Sequence, residues 1–168
     1  MVMQCNPKQR PMDPAMPKLP PEDIPAAVVR DLRDGMGDDL VAVVLYGSRA
    51  RGEAAVDSDW DFLVVAEGLP DGPIARPAYV RERLTSSEGT RVAGLAKRPR
   101  ETEGPPIALY LDIAHDGEIL YDTQGFAGDH LALLRDYARR EGLRRDRTEH
   151  GDVWWYPAPE QRHIAGGV

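Results

Sequence analysis

Leu40-Val41-Ala42-Val43-Val44-Leu45-Tyr46-Gly47-Ser48-Arg49-Ala50-Arg51-Gly52 is followed, four residues later, by Asp57-Ser58-Asp59-Trp60-Asp61-Phe62-Leu63-Val64-Val65. These two stretches decide the fold. Leu40 to Tyr46 is an almost unbroken β-branched and aliphatic run, as in a strand covered on both faces. Gly47 lets the chain turn sharply and approach a ligand closely. Ser48 to Arg51 then opens a short helix whose first N–H groups face the turn. Ten residues separate Ser48 from Asp59. Residues 60–66 form a second strand. Its alternation puts Asp59, Asp61, Leu63 and Val65 on one face and Trp60, Phe62 and Val64 on the other.

The two halves suggest chemistry. A Gly-Ser turn at a helix start offers backbone N–H donors, a hydroxyl and no obstructing side chain, which suits a polyphosphate. Arg49 and Arg51 could add positive charge there. Asp59 and Asp61 on one strand face repel each other, and a hard divalent cation relieves that repulsion. Each half also has a plain structural alternative. Gly-Ser serves as an ordinary strand-to-helix turn, and Asp-x-Asp as a solvated strand end.

Taken together, Gly47-Ser48, Ala50-Arg51-Gly52, Asp57-Ser58-Asp59 and Asp61 resemble the nucleotidyltransferase superfamily of DNA polymerase β. The closest resemblance is to the minimal nucleotidyltransferases. It covers residues 22–143. It implies an α/β (α+β) fold, a mixed β-sheet with helices packed on it and a strand–Gly-Ser turn–helix at the active site. It also implies two magnesium ions, ATP or another nucleoside triphosphate as substrate, and transfer of NMP to a hydroxyl. Gly47, Ser48, Arg49 and Arg51 would bind the nucleotide. Asp59, Asp61 and a third carboxylate on a neighbouring strand would hold the metals, and Asp112 in Leu111-Asp112-Ile113 is expected to supply the third. The implied acceptor is a protein, with a HEPN-domain toxin as partner. Two other functions fit the same pattern: a non-catalytic antitoxin on this fold, and a small-molecule nucleotidyltransferase.

Outward from this core, residues 21–35 read as a helix, with Ile24, Val28, Val29 and Leu32 at helical spacing. Residues 70–105, broken by Gly72, Pro73, Pro77, Pro99, Gly104 and Pro105, read as an irregular insertion with short helices over 78–84 and 91–97. Ile107 to Ala114 reads as a strand, and Asp116-Gly117 as a hairpin turn into Glu118–Tyr121. Residues 127–141 read as a helix stopped by Gly142. The nucleotidyltransferase domain is thus expected over 21–143. Before it lies a Pro-rich leader, 1–20, with Met12 and Met16 as alternative starts. After it lies an Arg-rich, aromatic tail, 144–168.

Within that tail and the helix before it, Arg135, Arg139, Arg140, Arg144, Arg145 and Arg147 interleave with acids, as on a salt-bridged solvated face. Trp154, Trp155 and Tyr156 suit either a cap on the core or an anchor for a partner. The four histidines, His115, His130, His150 and His163, show no zinc spacing. The net charge of −7 argues against general nucleic-acid binding. Cys5 is the single cysteine, so a reducing, cytoplasmic setting is expected. No apolar run has membrane-spanning length, and the N-terminus lacks a signal-peptide core.

Overall fold

A computed structural model describes residues 20–86, 91–148 and 151–157; most of the expected leader and the end of the tail lie outside these residues. Helix α1 (Ile24–Met36) leads into strand β1 (Leu40–Tyr46), the one-turn helix α2 (Gly47–Ala50) and strand β2 (Trp60–Ala66). Then come α3 (Ala75–Arg81), β3 (Val92–Lys97), α4 (Ala108–Asp116), β4 (Glu118–Asp122), α5 (Phe126–Arg140) and a hairpin of β5 (Arg144–Thr148) and β6 (Gly151–Trp155).

The main sheet is mixed, in the order β3-β2-β1-β4. Strand β1 pairs antiparallel with β2 and β4, and β2 pairs parallel with β3. Both faces are covered, as the near-continuous apolar strands require. On one face Val43, Leu45, Phe62 and Val64 pack against Ile24, Val28 and Leu32 of α1 and Val80 of α3. On the other, Ala42, Val44, Leu63 and Val65 meet Ile113 of α4 and Leu131 and Leu134 of α5. The alternation read from β2 therefore holds for its apolar residues, with Trp60, Phe62 and Val64 on one face and Leu63 and Val65 on the other.

Three readings are corrected. Residues 91–97 are not helical: β3 pairs along the whole of β2, so 70–105 contributes a strand to the sheet. Gly94 makes this fit, because a Cβ there would lie 3.0 Å from Val80 of α3. Ile107 to Ala114 is not a strand but most of α4, buried through Leu111, Ile113 and Ala114. Short apolar runs carry no decisive period, and here the choice falls to the partner, the α5 and β1 surfaces. Asp116-Gly117 is accordingly no hairpin turn. Gly117 N–H donates to Ile113 C=O at 2.8 Å, closing the helix. A Cβ on Gly117 would sit 2.9 Å from Val44, so only glycine brings the helix end this close to β1.

The expected tail begins with the β5–β6 hairpin, which charge rather than apolar pattern attaches. Arg145, 13% exposed, binds Asp116 through both nitrogens at 2.9 and 2.6 Å and Asp152 at 2.6 Å. Arg147 pairs with Glu53, on the loop after the Gly-Ser turn. The arginine-rich segment is thus an ion-paired face. Trp154 is partly buried against His115, whereas Trp155 and Tyr156 are exposed.

Candidate active site

The site forms where β1 ends and β2 begins. Tyr46 and Asp61 are direct cross-strand partners, so the Gly-Ser turn emerges beside the Asp61 carboxylate. Gly47 has φ +75°, in the left-handed region. A Cβ on it would lie 2.4 Å from Asp61 Oδ2. Gly47 is therefore required twice, for its backbone conformation and for the space that the carboxylate occupies. The turn is compact: Arg51 N–H donates to Gly47 C=O at 3.3 Å and Glu53 N–H to Ser48 C=O at 2.9 Å.

The two acids repel each other. Burial pushes the Asp61 carboxyl above its ordinary range, and the Asp59 charge pushes it further, against a smaller opposing pull from Arg51. The same burial, with the Asp61 charge, raises the neighbouring Tyr46 hydroxyl to about 12. Asp59 Oδ1 is buried and accepts no hydrogen bond among the described residues. Its cationic neighbour is Arg91 Nε at 2.8 Å, a charge contact without hydrogen-bond alignment. Two carboxylates this close, one of them raised by burial and by the other's charge, fit a hard divalent cation.

The expected third carboxylate is not on a strand: Asp112 lies on α4. Its carboxylate accepts from Trp154 Nε1–H at 2.9 Å and lies 3.2 Å from Arg145 Nε. Among the described residues no three His, Cys, Asp or Glu side chains converge as a metal site. Strand β2 is flanked by β1, which brings Tyr46 opposite Asp61, and by β3, which brings Ala93 opposite it.

The arginines expected at the phosphates both have partners within the protein. Arg49 donates to Ser58 C=O at 2.8 Å and lies over the Trp60 ring at 4.5 Å, bracing the chain that leads into Asp59. Arg51 binds Glu53 at 2.8 Å and lies 3.7 Å from Asp116. Glu53 is held down at about 2, first by the hydrogen bond from Arg147 and then by that from Arg51. Arg91, which belongs to no motif, is the side chain that reaches Asp59. Only the β2–β3 register could have indicated it.

The family model of the nucleotidyltransferase domain matches residues 29–102, the span that carries the turn, both acids and β3. The chain belongs to the nucleotidyltransferase family and is a nucleotidyltransferase. A Methanocaldococcus jannaschii protein, MJ1305, provisionally named a protein adenylyltransferase, is 32% identical over 108 residues, 62% of this chain and 74% of that protein. Among solved structures, a toxin–antitoxin crystal structure with AMP-PNP is 20% identical, covers 70% of this chain and 92% of that one, and has a TM-score of 0.49. The complex of tri-AMPylated Shewanella oneidensis HEPN toxin with MNT antitoxin is 19% identical, with coverage of 70% and 89% and a TM-score of 0.45. These two likenesses are too distant to bear on function. Among the described residues no helix is long and apolar enough to cross a membrane.

Proposed function

We propose that this enzyme transfers AMP from ATP to a protein hydroxyl in a magnesium-dependent reaction. The observation that carries the reading is the close approach of the left-handed Gly47 turn to the Asp61 carboxylate, so close that not even a Cβ fits between them. The protein acceptor is supported by the name of the 32% identical relative. A HEPN-domain protein, implied by the family resemblance, is the first acceptor to test.

Gly47 and Ser48 would donate backbone N–H and hydroxyl hydrogen bonds to the triphosphate. Asp59 and Asp61 would hold magnesium, which when bound offsets the triphosphate charge. Arg49 keeps the approach to Asp59 in place from behind. In the reaction the acceptor oxygen bonds to the α-phosphorus as the bond from that phosphorus to pyrophosphate breaks. The hydroxyl proton passes to solvent and pyrophosphate departs.

The test is incubation with magnesium and α-labelled ATP, with and without cell lysate or a purified HEPN protein, beside an Asp59→Asn/Asp61→Asn variant. Label on a protein, dependent on the native acids, is the expected result. Label on a small molecule would replace the protein acceptor. Absence of any transfer, together with undiminished triphosphate binding by the variant, would sink the reading.

A further inference from the structure

The parallel register of β2 and β3 pairs Trp60 with Val92 and Asp61 with Ala93. Arg91 C=O accepts from Trp60 N–H at 2.8 Å, so the pairing extends one residue further. Arg91-x-Ala93 therefore lies directly alongside Asp59-x-Asp61. Partners in parallel strands present their side chains to the same face. Ala93 thus shares a face with Asp61, and it is exposed. The family resemblance implies a third carboxylate on a neighbouring strand, yet β1 (Leu40–Tyr46) contains no acid and neither does β3, which reads Val92-Ala93-Gly94-Leu95-Ala96-Lys97. In its place stands a cation of the protein's own. Arg91 Nε lies 2.8 Å from Asp59 Oδ1, and Arg91 Nη1 donates to Asp57 C=O at 3.3 Å.

We infer that the site takes a single divalent cation with its nucleotide, and that the Arg91 guanidinium holds Asp59 where a second ion would otherwise bind. Two observations converge on this. The β3 position on the Asp61 face is an alanine. The positive charge that a second ion would bring to Asp59 is already present on a side chain. Arg91 is a positioning residue in this scheme: it fixes the Asp59 carboxylate and balances its charge without touching the nucleotide. The inference rests on the magnesium-dependent transfer proposed above and refines its metal count.

The experiment counts Mn2+ bound per chain by equilibrium dialysis and electron paramagnetic resonance, using the full chain saturated with α,β-methylene-ATP, whose α–β bridge resists cleavage. One ion is expected for the wild type and for Arg91→Lys. Two are expected for Ala93→Asp/Arg91→Ala, which installs a carboxylate beside Asp61 and removes the guanidinium. Two ions on the wild type would overturn the inference, and that count stands even if the double variant fails to fold. One ion on a folded double variant would overturn the assignment of this strand edge. No nucleotide-dependent ion on the wild type, matching the Asp59→Asn/Asp61→Asn control, would overturn the transfer reading itself, so the two failures are distinguishable.

Discussion

Replacing Gly47 by alanine separates the geometry of the site from the stability of the fold. An alanine Cβ would lie 2.4 Å from Asp61 Oδ2, where ordinary contact starts at 3.4 Å. Either the turn or the carboxylate must retreat by the difference, about 1 Å, a misplacement that can cost a catalytic arrangement about 100-fold. The left-handed backbone adds a second penalty, roughly 1–2 kcal/mol for an L-residue. Gly52 supplies the control. Its φ is +70°, nearly the value at Gly47, but a Cβ there meets nothing within 4 Å. Gly47→Ala and Gly52→Ala should therefore share the backbone penalty, read as a lowered urea midpoint. Only Gly47→Ala should also lose about two orders of magnitude in label transfer from α-labelled ATP. Its Mn2+ affinity in the presence of nucleotide should fall as well, because the conflict is with the Asp61 carboxylate. Equal transfer by the two variants would refute the claim that contact with Asp61 is what requires glycine at 47.

The ion-paired hairpin yields three further expectations. Arg145→Met strands the Asp116 and Asp152 carboxylates that it binds, and should cost about 3 kcal/mol, the lower end for breaking a largely buried pair. An unchanged urea midpoint would contradict this. Asp116 is a case of opposing effects: burial would raise its carboxyl, but hydrogen bonds from Arg145 and His115 outweigh it and hold it at about 2 instead of 3.8. A depressed acid stabilises the fold above its unfolded value and loses that contribution as pH falls toward its folded value. The acid limb of wild-type stability between 3.8 and about 2 should therefore be steeper than that of Asp116→Asn; superimposed limbs would exclude the pairing. Finally, Asp112→Ala deprives the Trp154 indole of its acceptor. With Trp60 and Trp155 replaced by phenylalanine, Trp154 emission should shift and the hairpin should be cut faster by protease, and identical spectra would place Asp112 elsewhere.

The parts of the chain that were legible share one property: local pattern alone specifies them. Leu40–Tyr46 and Trp60–Ala66 have the boundaries read from the residues, since each is an apolar run bounded by a glycine turn or an acid pair. The division of Leu63 and Val65 from Phe62 and Val64 followed from period-2 geometry. Helix α5 was marked by its stripe and by Gly142 at φ +64°. The misread segments were those whose state depends on a partner. Val92–Lys97 has weak local preference and becomes a strand because β2 offers a free edge. Ala108–Asp116 is apolar enough for either state and becomes a helix because Gly117 lets it close against Val44.

The same distinction governs the site. The amino-acid sequence by itself determined the turn at Gly47-Ser48 and the one-faced pair Asp59 and Asp61, because residues two apart on a strand must share a face. It could not determine what stands next to that pair. Arg147 and Glu53 meet across 94 residues, Asp112 is drawn to Arg145 and Trp154 of the hairpin, and Arg91 reaches Asp59 only through the β2–β3 register. Those neighbours were decided by tertiary structure, since strand pairing and charge pairing between distant segments are selected by the whole fold and leave no periodic trace in any one segment.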